Sequence, residues 1–244
     1  MPVEPNGGIG DGAPSIENAI VAGIEKAHHK QDFTDHEMVS FDLKLDFGGK
    51  TRFNGKVSML TNSGKIKVEK QDGTILLYNG DKMFSTQADN LTNDRFDLFT
   101  WPYFFAFPYK LSDPGAVFAL SEKDSLMSKS YETFTLKFED GTGDSPDDWY
   151  VGYVNNDQLV RATAYIVTFN KTQEKAEEAP HAIVYSGYKD VDEIPIAHHW
   201  EFYNWSKENG VTGAPIGMAS LDNVTFSEAE DDFFQTPEGA TVID

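Results

Sequence analysis

The sequence predicts an α+β protein: a single curved, mostly antiparallel sheet of about eleven strands wrapped around an N-terminal helix and a short aromatic helical insert. Three observations carry this expectation. Apolar and polar residues alternate over most of the chain, which is the period of a half-buried strand. One early stretch instead repeats at three and four residues, the period of a helix. Finally, eight of the fourteen residues from Phe96 to Tyr109 (FDLFTWPYFFAFPY) are aromatic. Each such ring left in water forgoes about 1.5–3 kcal/mol, so the segment must be covered. A long antiparallel sheet curls or splits, and curling it around the helix and the aromatic segment buries both.

Residues 1–14 (MPVEPNGGIGDGAP) are rich in Gly and Pro and read as a flexible tail ahead of one domain over residues 15–244. The tail is either a native start or the spacer left after an export signal or lipid anchor has been removed. Ser15 is a helix cap and Glu17 an acid in the first turn. Ile16, Ala19, Ile20, Gly23, Ile24 and Ala27 then form an apolar stripe, with His28 and His29 at the negative end of the helix dipole.

From Glu37 the period becomes two. Phe41, Leu43, Leu45 and Phe47 alternate with polar residues, and Gly48-Gly49 turns the chain into a second strand through Phe53, Val57 and Met59, which Gly55 interrupts as a bulge or bend. Turns at Asn62-Ser63-Gly64, Asp72-Gly73 and Asn79-Gly80 mark out an up-and-down meander. Gln87 to Asp94 reads as a polar loop. In the aromatic segment, Pro102 and Pro108 argue against one long regular element. Thr100 as a cap and Pro102 at a first helical position predict one or two short helical turns ending before Pro108. Strands resume near Val117, Tyr131, Trp149, Leu159, His181, Ile196 and Gly217. The stretch from Glu228 reads as an acidic tail broken only by Phe233-Phe234.

Composition narrows the partners. Forty acidic residues against twenty basic ones give a net charge of −20, and phosphate recognition needs clustered Lys and Arg. Nucleic acid is therefore not an expected partner. The absence of cysteine excludes disulfides, thiolate metal sites and a cysteine nucleophile. No apolar run reaches the ~18–20 residues of a membrane helix.

Two stretches resemble a known family. DGTILLYNGDKMFS (Asp72 to Ser85) and FAFPYKLSDPGAVF (Phe105 to Phe118), in an order of helix, strands, aromatic insert and more strands, resemble the LolA/LolB-like bacterial lipoprotein carriers, and most of all uncharacterised exported lipoprotein families of the Bacteroidetes type. The resemblance runs from Ser15 to about Val167. It implies an open half-barrel with helices as a lid over an apolar cavity, no covalent chemistry and no cofactor. It also implies a location in the periplasm or at the outer membrane, with membrane attachment through a removed N-terminal lipid anchor and a monomeric state. Arg52 and Arg161 are candidates for the ligand-gripping arginine of the carriers.

Other chemistry has weaker signals. The histidines lack metal-ligand spacing, and His198 and His199 on one strand face opposite ways. Asp140, Asp144, Asp147 and Asp148 are oxygen donors for a hard cation, but without the EF-hand spacing. No nucleophile motif is present. The sequence thus points to a non-enzymatic binding protein without metal or cofactor, holding a lipid or other apolar molecule. Ile20, Ile24, Phe99, Trp101, Phe104, Phe105 and Phe107 are its expected cavity wall. The alternatives are a surface-attached structural or interaction protein in which these residues are only core, and a glycan-acting hydrolase.

Overall fold

The computed structural model describes residues 15–87 and 91–243. The tail expected over residues 1–14 lies outside the described residues, as do residues 88–90 of the expected loop. The elements, in chain order, are α1 (Ile16–Ala27), α2 (Lys30–Asp35), β1 (Met38–Phe47), β2 (Lys50–Leu60), β3 (Ile66–Lys70), β4 (Ile75–Tyr78), β5 (Met83–Ser85), α3 (Leu91–Ala106), β6 (Ala116–Leu126), β7 (Lys129–Phe138), β8 (Tyr150–Val154), β9 (Val160–Tyr165), α4 (Gln173–Glu177), β10 (His181–Val191), β11 (Ile194–Ser206), β12 (Gly210–Ser227) and β13 (Thr241–Ile243). The strands form one antiparallel sheet in the order β13-β5-β4-β3-β2-β1-β12-β11-β10-β9-β8-β7-β6. It is open, with β13 and β6 as its two ends. The class is the expected one. The strand count is thirteen among the described residues, against about eleven expected, and β13 comes from the stretch read as an acidic tail.

The chain packs as two compact units. The first holds residues 15–30, 108–183 and 204–212, and the second holds residues 31–107, 184–203 and 213–243.

In the first unit Ser15 caps α1 as expected, its hydroxyl accepting the Asn18 N–H at 3.1 Å. The buried face of α1 is not the expected stripe. Val21, Ile24 and His28 are buried, whereas Ile16 is 72% exposed and Ala19 is also exposed. The reason is His28. Rather than sitting exposed at the helix end, its Nε2 accepts the backbone N–H of Val160 on β9 at 2.9 Å, so the inward line of the helix runs through it. Helix α1 lies against β6, and the His28 ring meets Tyr109 edge-on at 6.0 Å. Further along, Trp205 Nε1 donates to Tyr153 Oη at 2.9 Å, and Trp149 packs against Trp205.

In the second unit β1 and β2 form a hairpin around Gly48 and Gly49. Both have positive φ, at 56° and 77°, which the tight primed turns require. The meander continues through β3, β4 and β5. Phe41, Leu43, Leu45, Phe53, Val57 and Met59 line its core. The bulge in β2 is not at Gly55, which pairs regularly with Leu43. It lies where Leu45 opposes Phe53 but Asp46 opposes Thr51, leaving Arg52 as the extra residue. The C-terminal stretch returns to this unit. Phe234 is buried with Met38 and Leu77, Phe233 packs beside it, and β13 pairs with β5.

The aromatic segment differs most from expectation. Instead of short turns there is one 16-residue helix, α3, running through Pro102. Pro102 removes a hydrogen bond to the carbonyl of Leu98, and interior proline costs ~3 kcal/mol. Burial of the surrounding rings and the ion pairs described below offset that cost. The helix ends before Pro108, as expected, in a 3-10 turn over Phe107–Tyr109. The segment is covered by protein: Trp101, Phe104, Phe105, Phe107 and Tyr109 are buried, and Phe96, Phe99 and Tyr103 are half-buried.

Candidate functional site

Helix α3 packs on β2, β3, β4 and β5 and presents them one continuous face. Asp94, Asp97, Leu98, Trp101, Phe104 and Phe105 are all buried and recur at helical spacing. The two acids occupy the N-terminal half of this face, and the rings occupy the rest.

Two local features of the sheet bring cations to the acids. The bulge in β2 breaks the alternation at Arg52 and re-aims its side chain. Gly55 pairs with Lys70 on β3, and a Cβ at Gly55 would lie only 2.7 Å from the Glu69 carbonyl oxygen. The missing side chain therefore lets β3 come close enough to deliver Lys70. Arg52 Nη2 lies 3.0 Å from Asp97 Oδ1 and Nη1 lies 3.2 Å from Oδ2, a forked pair. Lys70 Nζ bridges both acids, 2.8 Å from Asp94 Oδ1 and 2.9 Å from Asp97 Oδ2. Ser85 Oγ on β5 lies 2.9 Å from Asp94 Oδ2, and Trp101 Nε1 donates to Asp97 Oδ1 at 2.9 Å. Burial works to lower the pKa of Lys70. The hydrogen bond to Asp94 and the charge of Asp97 outweigh it and hold the ammonium above the ordinary lysine value. Two carboxylates meet two cations, so the cluster is neutral, and it fixes which face of α3 turns inward.

Beyond the acids the face is aromatic. Phe105 stacks on Phe41 at 4.2 Å and lies 6.3 Å from Phe33. Trp101 meets Phe202 of β11 edge-on at 6.2 Å and lies beside Phe104. Phe107 meets Tyr103. Half-buried Phe99 packs on Tyr78, with Arg95 over its ring. Trp101, Phe104, Phe105 and Phe107 of the expected wall are thus gathered in the second unit, with Phe99 at the margin. Ile24 is buried and Ile20 half-buried in the first unit.

Sequence reasoning missed the ion cluster, although the signal was present. Asp94 and Asp97 precede Trp101, Phe104 and Phe105 at three- and four-residue intervals, which places carboxylates on a greasy face. Arg52, a candidate for gripping a ligand, is paired with Asp97, and Arg161 is paired with Asp157. Asp148, a candidate cation ligand, uses Oδ1 to accept both the N–H and the hydroxyl of Thr168 at 2.7 Å. Burial, countered in part by those bonds, leaves its pKa raised. Among the described residues no group of three His, Asp or Glu side chains could hold a metal ion, and no helix is long and apolar enough to cross a membrane.

The chain has a LolA-like fold, the one its residues 72–85 and 105–118 resemble. A LolA superfamily protein from Nitrosomonas europaea, 9% identical, matches with a TM-score of 0.56 over 90% of this chain and 97% of its own. A domain from Vibrio parahaemolyticus named for outer membrane lipoprotein sorting, 12% identical, matches with a TM-score of 0.52 over 88% of this chain and 97% of its own. At these identities the likeness is one of fold. No protein-family model matches the sequence, and no curated protein matches it.

Proposed function

We propose that this protein is a non-enzymatic binding protein of the bacterial cell envelope, exported and monomeric, that holds a lipid or another apolar molecule against helix α3. The observation that carries the reading is the division of α3. Its charged groups are neutralised at one end, and from Leu98 to Phe105 the buried positions are Leu98, Trp101, Pro102, Phe104 and Phe105. Such a face gains affinity from burial and dispersion rather than from charge. Trp101, Phe104, Phe105 and Phe107 form the wall, and Phe99 marks its rim. The LolA-like fold supports the reading, as does the name of the Vibrio domain for lipoprotein sorting. Attachment to the membrane would run through a removed N-terminal lipid anchor.

The test is uptake of a fluorescent fatty acid by the wild type and by Phe104→Ala and Phe105→Ala. Weaker uptake in variants that keep their circular dichroism supports the reading. Equal uptake by folded variants overturns it. One specific observation favours a second reading, that of a structural protein without a ligand: Phe104 is only 2% exposed and Phe107 fully buried, as core residues are. Native mass spectrometry of the freshly purified protein separates the two, because a co-purified lipid supports binding and the bare protein mass supports the structural reading.

A further inference from the structure

One buried polar atom in the second unit stands out. His198 lies on β11 and is 8% exposed. Its Nδ1 sits 2.7 Å from the carbonyl oxygen of Leu221 on β12. A carbonyl can only accept, so Nδ1 carries a proton, and in the Nδ1–H tautomer Nε2 is the acceptor. That Nε2 is buried and has no hydrogen-bond partner. Leaving such an acceptor dry is costly, and buried polar atoms are rarely left so.

Its place in the strand says what surrounds it. From Ile194 to Phe202 buried and more exposed residues alternate strictly, so His198 shares a face with Ile196, Trp200 and Phe202. Phe202 is the residue that meets Trp101 of α3 and Phe47 of β1. His198 thus places a buried acceptor on the strand face that carries Phe202, the ring that Trp101 of α3 meets.

We infer that His198 is the polar contact of the bound lipid: its Nε2 accepts a hydrogen bond from a free hydroxyl group carried by a long-chain molecule. This rests on the binding function proposed above and narrows it. The ligand class is a hydroxyl-bearing lipid, such as a fatty alcohol or a partly acylated glycerol, and not one whose polar end offers acceptors alone. The bound hydroxyl donates to Nε2 while its chain lies along the rings.

The test compares 1-dodecanol with dodecyl methyl ether, which keeps the oxygen and loses the donor. Each is titrated against the full-length protein loaded with N-phenyl-1-naphthylamine. The wild type is expected to bind the alcohol about tenfold more tightly than the ether, the worth of one buried hydrogen bond. His198→Leu is expected to bring the two within about twofold. Should that variant not fold, imidazole ¹⁵N spectra of the wild type serve instead: the Nε2 resonance moves upfield with the alcohol and stays in place with the ether. Equal affinity of the wild type for both probes, a preference retained in folded His198→Leu, or an unmoved Nε2 resonance under saturating alcohol overturns the role of His198 while leaving apolar binding intact. If neither probe displaces the dye from folded protein, the binding function itself fails, and this inference with it.

Discussion

Helix α1 in the first unit and helix α3 in the second are each tied to the sheet by buried polar side chains, and the two ties use opposite chemistry. Helix α3 is held by four charges. Asp94 and Asp97 are 3% and 1% exposed in their side chains and meet Lys70 and Arg52. Helix α1 is held by a neutral ring, His28, which accepts one backbone N–H. Burial, with Arg161 adding to it, drives the His28 pKa down to about 3, so the tie exists only while the ring is uncharged. Charge holds one helix and the absence of charge holds the other. A change of pH or a single substitution should therefore act on them differently.

The largest expected effect comes from breaking the charged tie. Asp97→Ala leaves Arg52 and the shielded Lys70 short of a partner and should cost about 3–5 kcal/mol, read as a lower urea midpoint at unchanged slope. Next is the ring seam beside it. Phe105→Ala, which empties the contact with Phe41, should cost about 3–4 kcal/mol. A double-mutant cycle between the two changes shows whether ions and rings hold α3 independently.

The pH experiment reverses the roles. The unfolded chain binds a proton at His28 near 6.5 and the folded one only near 3. Stability from this residue is complete above about pH 6.5 and is lost as pH falls toward 3. By pH 4 the loss should be on the order of 3 kcal/mol. His181, whose pKa burial also lowers, with Lys171 adding to it, contributes with the same sign. His28→Gln should flatten the stability profile between pH 7 and 4 relative to the wild type, whereas Asp97→Ala should shift it without flattening that window in the same way. Equal slopes for wild type and His28→Gln would show that the ring does not titrate as described. The smallest effect is at the cap. Ser15→Ala should cost about 1 kcal/mol, seen as faster amide exchange confined to the first turn of α1.

Much of this comparison was legible in the sequence, and the part that was not has a physical cause. The alternation of Phe41, Leu43 and Leu45, the Gly48-Gly49 turn and the Ser15 cap rest on local rules, and local rules survive folding. The register of α1 did not survive, because Ile16 and Ala19 match an apolar stripe as well as Val21 does. Only the long-range bond from Val160 to His28 chooses between them. Helix α3 was hidden by Pro102, whose local cost is real but smaller than what the tertiary contacts return. The ion cluster needed the Arg52 bulge and the close approach at Gly55, and both depend on strand pairing rather than on neighbours in sequence. The covering of the aromatic segment was legible, since eight rings in fourteen positions have few places to go.

Strand β1 pairs with β2 on one side and with β12 on the other. Asn223 of β12 bonds Asp42 of β1 across 181 positions of sequence. A chain emerging from a ribosome therefore presents β1 with one flank bare through most of its synthesis. Contacts closed over such spans form slowly. The seam between β1 and β12 therefore closes only after nearly the whole chain has been made.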